Sequence, residues 1–226
     1  MNDYLARSKQ LLGDSKINAL ADKVILVAGV GGVGGTALEA LARSGFKKFI
    51  LVDYDQVDVS NLNRQVLFTN SDIGKDKVSV AKEYILKIND EINVKTIKSK
   101  IGDIPFGEII KDKVDFIIDA IDYVPGKLEI YEYAIKNNIP FVSSLGMGNR
   151  INPEDVTLTT LHKTENDPLA KKIRYEARHR GIDVKKVPVV FSKEQPLIKS
   201  AKPASMIMVP STAGLLIAKY VLTTIK

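Results

Sequence analysis

The chain has 226 residues, 45% of them apolar and none of them cysteine, a length for one domain or one domain with an insertion and a composition that excludes disorder. Without cysteine there is no disulfide, no Cys-ligated zinc and no thioester, so any chemistry finishes without a covalent sulfur intermediate. The net charge of +6 is local: residues 171–202 hold ten Lys/Arg against Glu176, Asp183 and Glu194, the other 194 residues sum to −1, and a polyanionic partner at one place is implied.

Residues 2–13 read as a short helical lead carrying Arg7, and a helix follows over 14–21. Residues 1–13 are polar and amphipathic rather than an apolar signal segment, so a cytoplasmic location is expected. Residues 24–28 are an apolar, β-branched run of strand length, and 33–43 carry small and apolar residues at helical spacing. Between them Gly29, Gly31, Gly32 and Gly34 form G-x-G-x-x-G, a turn that needs φ > 0 and leaves no room for Cβ where phosphate approaches. The N-terminus of the following helix offers free N–H groups to an anion.

A second strand, 49–52, ends at Asp53, 19 positions past Gly34, where a Rossmann-type domain places the acid that holds ribose hydroxyls. Asp55, Asn61, Arg64 and Lys77 then crowd the next loop and helix start. Attack at phosphorus needs such a set: Arg and Lys offset charge on the phosphoryl oxygens, and a carboxylate can hold Mg²⁺ against them. The helix over 75–88 packs Val78, Ala81, Ile85 and Ile88 on one face. Lys77 at its start opposes the helix dipole and calls for an anion, which a phosphate would supply.

Strands at 94–97 and 116–118 follow, the latter running into Asp119-Ala-Ile-Asp122 at the end where open α/β sheets bind ligands. Asp119 is read as a turn cap and Asp122 as a functional acid. A helix over 125–136, with Leu128, Tyr131 and Ile135 inward, leads to a fifth strand at 140–144. Strands alternating with helices make a Rossmann-like, doubly wound α/β fold with a mainly parallel sheet.

Past Ser144, residues 145–150 form a flexible turn near the site and 156–161 an alternating strand. Asp167-Pro168 caps a helix that runs through His179 to a stop at Gly181. Lys171, Lys172, Arg174, Arg178 and Arg180 spread around this basic insertion, with Tyr175 and His179 four apart. Its one-sided, Arg-rich surplus beside an aromatic ring favours nucleic-acid contact over a merely solvated face. His162 and His179 lack the pairing of a metal site. A strand at 187–192 and a basic, proline-containing loop at 193–205 come next. Pro196 and Pro203 flank a stretch that could move over the site, although glycine hinges are missing. Residues 206–225 read as a strand and a closing helix. The longest apolar run, 206–221, is broken by Pro210, Ser211, Thr212 and Lys219, so no membrane span is expected.

GVGGVG at 29–34, VDYDQVDVSNLNRQ at 52–65, GKDK at 74–77 and DAID at 119–122, in that order, resemble the E1-like adenylating fold shared by ubiquitin-activating enzymes and bacterial activators of sulfur-carrier proteins. The resemblance covers nearly the whole chain. It implies one ATP-binding domain over 1–226, with a lead at 1–23, a nucleotide-binding core at 24–144 and a substrate-side region at 145–226. It implies that Asp53 binds ribose, that Asn61, Arg64 and Lys77 hold the ATP phosphates, and that Asp122 is the Mg²⁺-associated acid. Arg7 matches an N-terminal arginine that reaches into the partner subunit's site, which implies a homodimer. A monovalent cation near the site and a sulfurtransferase-type protein partner are left open.

Within this family, DPLAKKIR at 167–174 and PASMIMVPSTAGLLIA at 203–218 look most like the branch that dehydrates threonylcarbamoyladenosine in tRNA. That branch uses ATP to activate a carboxylate of the modification, which is then attacked from within the same modification. The ring closes with net loss of water and no protein nucleophile, in agreement with a chain that lacks cysteine. This chain departs from bacterial members in lacking their cysteines and in a shorter C-terminal region. The alternative is adenylation of the C-terminus of a ubiquitin-like sulfur carrier, against which the missing CxxC pairs and the basic helix count. A nucleotide-binding or NAD-linked redox module is the third reading, and no hydride site is evident for it.

Overall fold

The computed structural model describes residues 3–198, 200 and 203–225. Two short helices, α1 (Ala6–Leu12) and α2 (Asp14–Leu20), precede β1 (Val24–Ala28), α3 (Gly32–Arg43), β2 (Lys48–Val52), α4 (Lys77–Ile88) and β3 (Asn93–Ile97). One turn of helix, α5 (Phe106–Ile109), leads to β4 (Phe116–Asp119), α6 (Val124–Lys136) and β5 (Phe141–Ser144). The chain continues through β6 (Val156–Thr160), α7 (Pro168–His179), β7 (Pro188–Ser192) and α8 (Met208–Thr224).

The seven strands form one sheet in the order β3-β2-β1-β4-β5-β7-β6, parallel except for the β6–β7 pair. The interior strand β1 is apolar throughout because both faces are covered, and Ile25, Leu26, Val27 and Ala28 are all fully buried. Helices α2, α3, α4 and α8 pack one face around Ile17, Leu38, Ala81 and Ile217. Helices α5, α6 and α7 pack the other around Phe106, Leu128, Tyr131 and Ile173.

Register sets the site. Ala28 is aligned with Val52 on one side and Asp119 on the other, so three strands end at one level. Gly29, Asp53 and the 120–122 loop therefore emerge together at the carboxyl edge, which is also the switch point between the two halves of the sheet.

The expected strand ahead of the closing helix is absent. Met208 already opens α8, and Met206 and Ile207 are exposed and outside any strand. Pro210 lies in the first turn of α8, where no intrahelical N–H is required, so it starts the helix rather than breaking a strand. Asp167 caps α7 as expected, accepting from Ala170 N at 3.0 Å, and Gly181 beyond its end takes φ 73°. Among the described residues, no helix is long and apolar enough to cross a membrane. Lys199 and Lys202, part of the basic loop read from sequence, lie outside the described residues.

Candidate functional site

A cavity of about 1320 Å³ opens at this carboxyl edge. Pockets for one small molecule hold roughly 300–1,000 Å³, so this one has room for a nucleotide and part of a second substrate. At one end are the glycine turn, Asp53, Asp55, Arg64, Lys77 and Asp122; at the other are residues 145–150, Asp167, Lys171 and Arg174.

The glycines divide their work. Gly29 adopts φ 84°, and a Cβ there would lie 2.8 Å from the Ala120 carbonyl oxygen. Gly31 and Gly32 line the cavity at the start of α3, where main-chain N–H groups lack helical partners. Gly34 does not line it. A Cβ on Gly34 would sit 1.9 Å from the Gly29 carbonyl oxygen, so its role is to let α3 pack onto the turn. Gly34→Ala is expected to cost about 3 kcal/mol, read as a lower urea midpoint. Calorimetric ATP binding should weaken with it, and an unchanged midpoint would contradict this packing account.

Asp53 accepts from Val30 N and from Asp55 N, each at 2.9 Å, so its carboxylate braces the turn while facing the cavity. Burial raises its pKa, against the hydrogen bonds from Asp55 and Val30 and the charge of Lys77. Lys77, with a side chain 7% exposed, meets Asp55 Oδ2 at 2.9 Å. The anion that offsets its place at the start of α4 is thus supplied by the chain itself. Arg64 donates to Ser60 O at 2.6 Å and Asn63 Oδ1 at 2.9 Å and faces the cavity. No carboxylate pairs with it among the described residues, which leaves its charge available to an anion.

Asn61 makes a local contact. Its side-chain oxygen accepts from Asp58 N at 3.1 Å in a reciprocal cap of the turn Val59–Asn61, and it does not line the cavity. Arg7 is exposed on α1 and also lies outside the lining. Gln65, which sequence reasoning missed, is buried against the cavity, and its Oε1 has no partner. That orphan acceptor beside Gly31 fits a donor on a bound ligand, and with the glycine cradle it makes the residues present a match for a nucleotide. The signal was Gln65's place next to Arg64 in the quoted motif.

Asp122 is exposed at the cavity. The charge of Asp55, then burial, then the charge of Asp122 push the Tyr54 hydroxyl pKa upward, which places these carboxylates as one acidic pole. No group of three or more His, Cys, Asp or Glu side chains among the described residues is arranged to hold a metal. A Mg²⁺ at Asp122 would therefore draw its other ligands from phosphates and water, as Mg²⁺ commonly does.

Asp119 is more than a turn cap. It accepts from Ile121 N at 3.3 Å, but its Oδ2 also meets Lys127 Nζ at 2.9 Å and Ser143 Oγ at 2.6 Å, with both ion-pair partners fully buried. Lys127 further donates to Ser144 O at 2.7 Å, and Tyr131 donates to Ser143 Oγ at 2.7 Å. Burial first and the Asp119 charge second hold the Tyr131 hydroxyl well above the usual phenol range, so it remains a donor. This network underpins the loop that carries Asp122.

At the far end Arg150 is buried and ties three loops. It donates to Glu194 O (2.9 Å), Gly146 O (2.7 Å), Gly148 O (3.2 Å) and Asn166 O (2.9 Å). Asp167 adds a bond from Gly146 N at 3.0 Å, joining the loop after β5 to the start of α7. Of the five cations on or just beyond α7, Lys171 and Arg174 line the cavity, Lys172 and Arg178 are exposed, and Arg180 meets Glu132 at 3.4 Å. His162 meets Thr160 Oγ1 at 2.9 Å, and His179 packs edge-on against Tyr175.

Comparison with known proteins extends this geometry. The ThiF family matches residues 5–220. The chain is 35% identical to the tRNA threonylcarbamoyladenosine dehydratase of Bacillus subtilis, covering 98% of this chain and 94% of that protein. It is 38% identical to the Escherichia coli dehydratase over 73% of this chain and 62% of that one. The solved structure of the E. coli dehydratase TcdA in complex with ATP superposes with a TM-score of 0.92 at 31% identity, covering 98% of this chain and 93% of that one.

Proposed function

Because the chain belongs to the ThiF family, we propose that it is an ATP-dependent tRNA threonylcarbamoyladenosine dehydratase, closing the threonylcarbamoyl group of the modified adenosine into a ring with net loss of water. The observation that carries this reading is the near-full-length likeness, in sequence and in fold, to enzymes of that activity. A cavity that runs from a nucleotide cradle to a basic helix agrees with it.

ATP supplies the activation of the substrate carboxylate. The chain contributes position and charge. Main-chain N–H groups at Gly31 and Gly32 cradle phosphate, and Arg64 and Lys77 offset charge on the phosphoryl oxygens. Asp53 faces ribose, and Asp122 would hold a Mg²⁺, which would supply further positive charge to the phosphates. The threonylcarbamoyl carboxylate then lies between the two ends of the cavity, where attack from within the modification closes the ring. Arg7, exposed on α1, serves the site of a second copy in a homodimer.

The test is mass spectrometry of nucleosides from tRNA carrying the threonylcarbamoyl modification, incubated with the protein, ATP and Mg²⁺. Loss of one water is expected with the native chain, and a rate lower by roughly 100-fold or more with Asp122→Ala. ATP binding without any loss of water would move the reading to a protein substrate, with pyrophosphate exchange on a carrier ending in Gly-Gly as the next assay.

A further inference from the structure

Helix α7 carries two faces of opposite character. Ala170, Ile173 and Ala177 recur at i, i+3 and i+7 and are fully buried against the sheet. Lys171, Arg174, Tyr175 and Arg178 recur at i, i+3, i+4 and i+7 and form a second stripe, with His179 at its edge. The one acid of the helix, Glu176, lies on the opposite flank of that stripe.

The stripe begins inside the cavity and ends outside it. Lys171 and Arg174 line the far end of the cavity, and Tyr175, Arg178 and His179 continue beyond its lining. From Lys171 to Arg178 the helix rises about 10 Å. None of its three cations has a carboxylate partner among the described residues, whereas Arg180, off the stripe, is paired with Glu132. Arg174 is held by Thr164, donating to its carbonyl at 2.9 Å and to its hydroxyl, which fixes the guanidinium at the rim without neutralising it. Tyr175 is 63% exposed, and its ring meets the His179 ring edge-on at 4.4 Å between centroids. That contact orients a flat aromatic face beside the cations.

We propose that this stripe is the docking track for the RNA strand next to the modified adenosine: Lys171, Arg174 and Arg178 take successive backbone phosphates, and one flanking base stacks on Tyr175. The assignment rests on the tRNA reading above and deepens it. Unpaired cations in a row match a phosphate backbone, and an exposed ring among them matches an unstacked base, the combination by which single-stranded RNA is held. Continuity with the cavity places the track where the polynucleotide must leave once its modified base is inside.

The experiment is equilibrium binding of threonylcarbamoyl-modified tRNA by fluorescence anisotropy, run over a salt series beside the dehydration assay. Tyr175→Ala is expected to weaken binding roughly 5- to 150-fold, and Tyr175→Phe, which keeps the ring, to stay near the native value. Arg178→Ala should lower the slope of log K against log salt by about 0.7–0.9, the mark of one lost phosphate contact. Lys87→Ala, on the opposite side of the sheet, removes the same net charge and should change affinity less than two-fold. The KM for ATP should not move in Tyr175→Ala or Arg178→Ala. Equal losses in the Lys87 and Arg178 variants, or full affinity in Tyr175→Ala, would overturn the track. A native chain that binds tRNA through the stripe but removes no water would overturn the dehydratase reading alone, and a native chain that binds no tRNA would overturn both.

Discussion

Replacing Lys127 by Ala is expected to destabilise the fold by about 3–5 kcal/mol, because it leaves the Asp119 carboxylate fully buried with its cation gone. Ser143 Oγ, at 2.6 Å, cannot offset a whole charge, and the Ser144 carbonyl loses its 2.7 Å donor at the same time. Urea denaturation reads this as a lower midpoint at unchanged slope. The double variant Lys127→Met with Asp119→Leu should recover most of the loss, since removing both charges removes the desolvation cost along with the attraction. A loss below about 1 kcal/mol in the single variant would contradict the view that this pair holds β4, β5 and α6 together. Activity should fall in the double variant as well. Its β4–α6 loop no longer has the Asp119 oxygen that accepts from Ile121 N, one residue before Asp122.

Lys77→Ala is expected to act in the opposite way, with a large loss of activity and a small loss of stability. Lys77 reaches the cavity beside Asp55, whose side chain is 45% exposed and can return to water when its partner is removed. The stability change should stay near 1 kcal/mol or below. The rate of ATP-dependent dehydration under saturating tRNA should fall by roughly 10²–10³, the usual cost of losing one preorganised charge at a reacting centre. Single-turnover kinetics separates this from a binding defect. If the rate holds while ATP affinity alone falls, Lys77 binds the nucleotide without stabilising the transition state.

These two lysines also show what was legible in the sequence. Lys77 was readable because a cation at a helix start works against the dipole, and that reasoning correctly demanded an anion. The anion read from sequence was a phosphate; Asp55, 22 positions away, is a second one, and it reaches Lys77 only because the chain folds back between β2 and α4. Lys127 carried a faint signal. It shares the face of Val124, Ile130 and Tyr131 at i−3, i+3 and i+4, an apolar face with one charge in it. The phosphate role of Asn61 came from the resemblance alone, and what Asp58-Val-Ser-Asn61 itself carries is the spacing of a reciprocal cap, which the structure forms.

The central strands were legible because a strand buried on both faces is a short unbroken apolar run, as in β1 and β4. The order of the last strands was not. Nothing local in 156–160 says that it pairs antiparallel with a strand that arrives 28 residues later. The strand expected before α8 failed on Pro210, which looked like a break but sits in the first turn of the helix it helps to start. The fold class survived that error because the five-strand core does not depend on it.

The packing of α8 on α3 has a bearing on synthesis. A Cβ on Gly214 would lie 2.6 Å from the Val33 carbonyl oxygen, Pro210 packs against Gly32, and Thr36 donates to Ser211 at 3.4 Å. The glycine turn is made early in translation, but the surface that holds its helix in place is made last, some 180 residues later. A nascent chain therefore has the phosphate loop, braced by Asp53, long before α8 is there to pack on α3, and contacts of such long range close slowly. The α3–α8 contact is thus among the last that a chain leaving the ribosome can make.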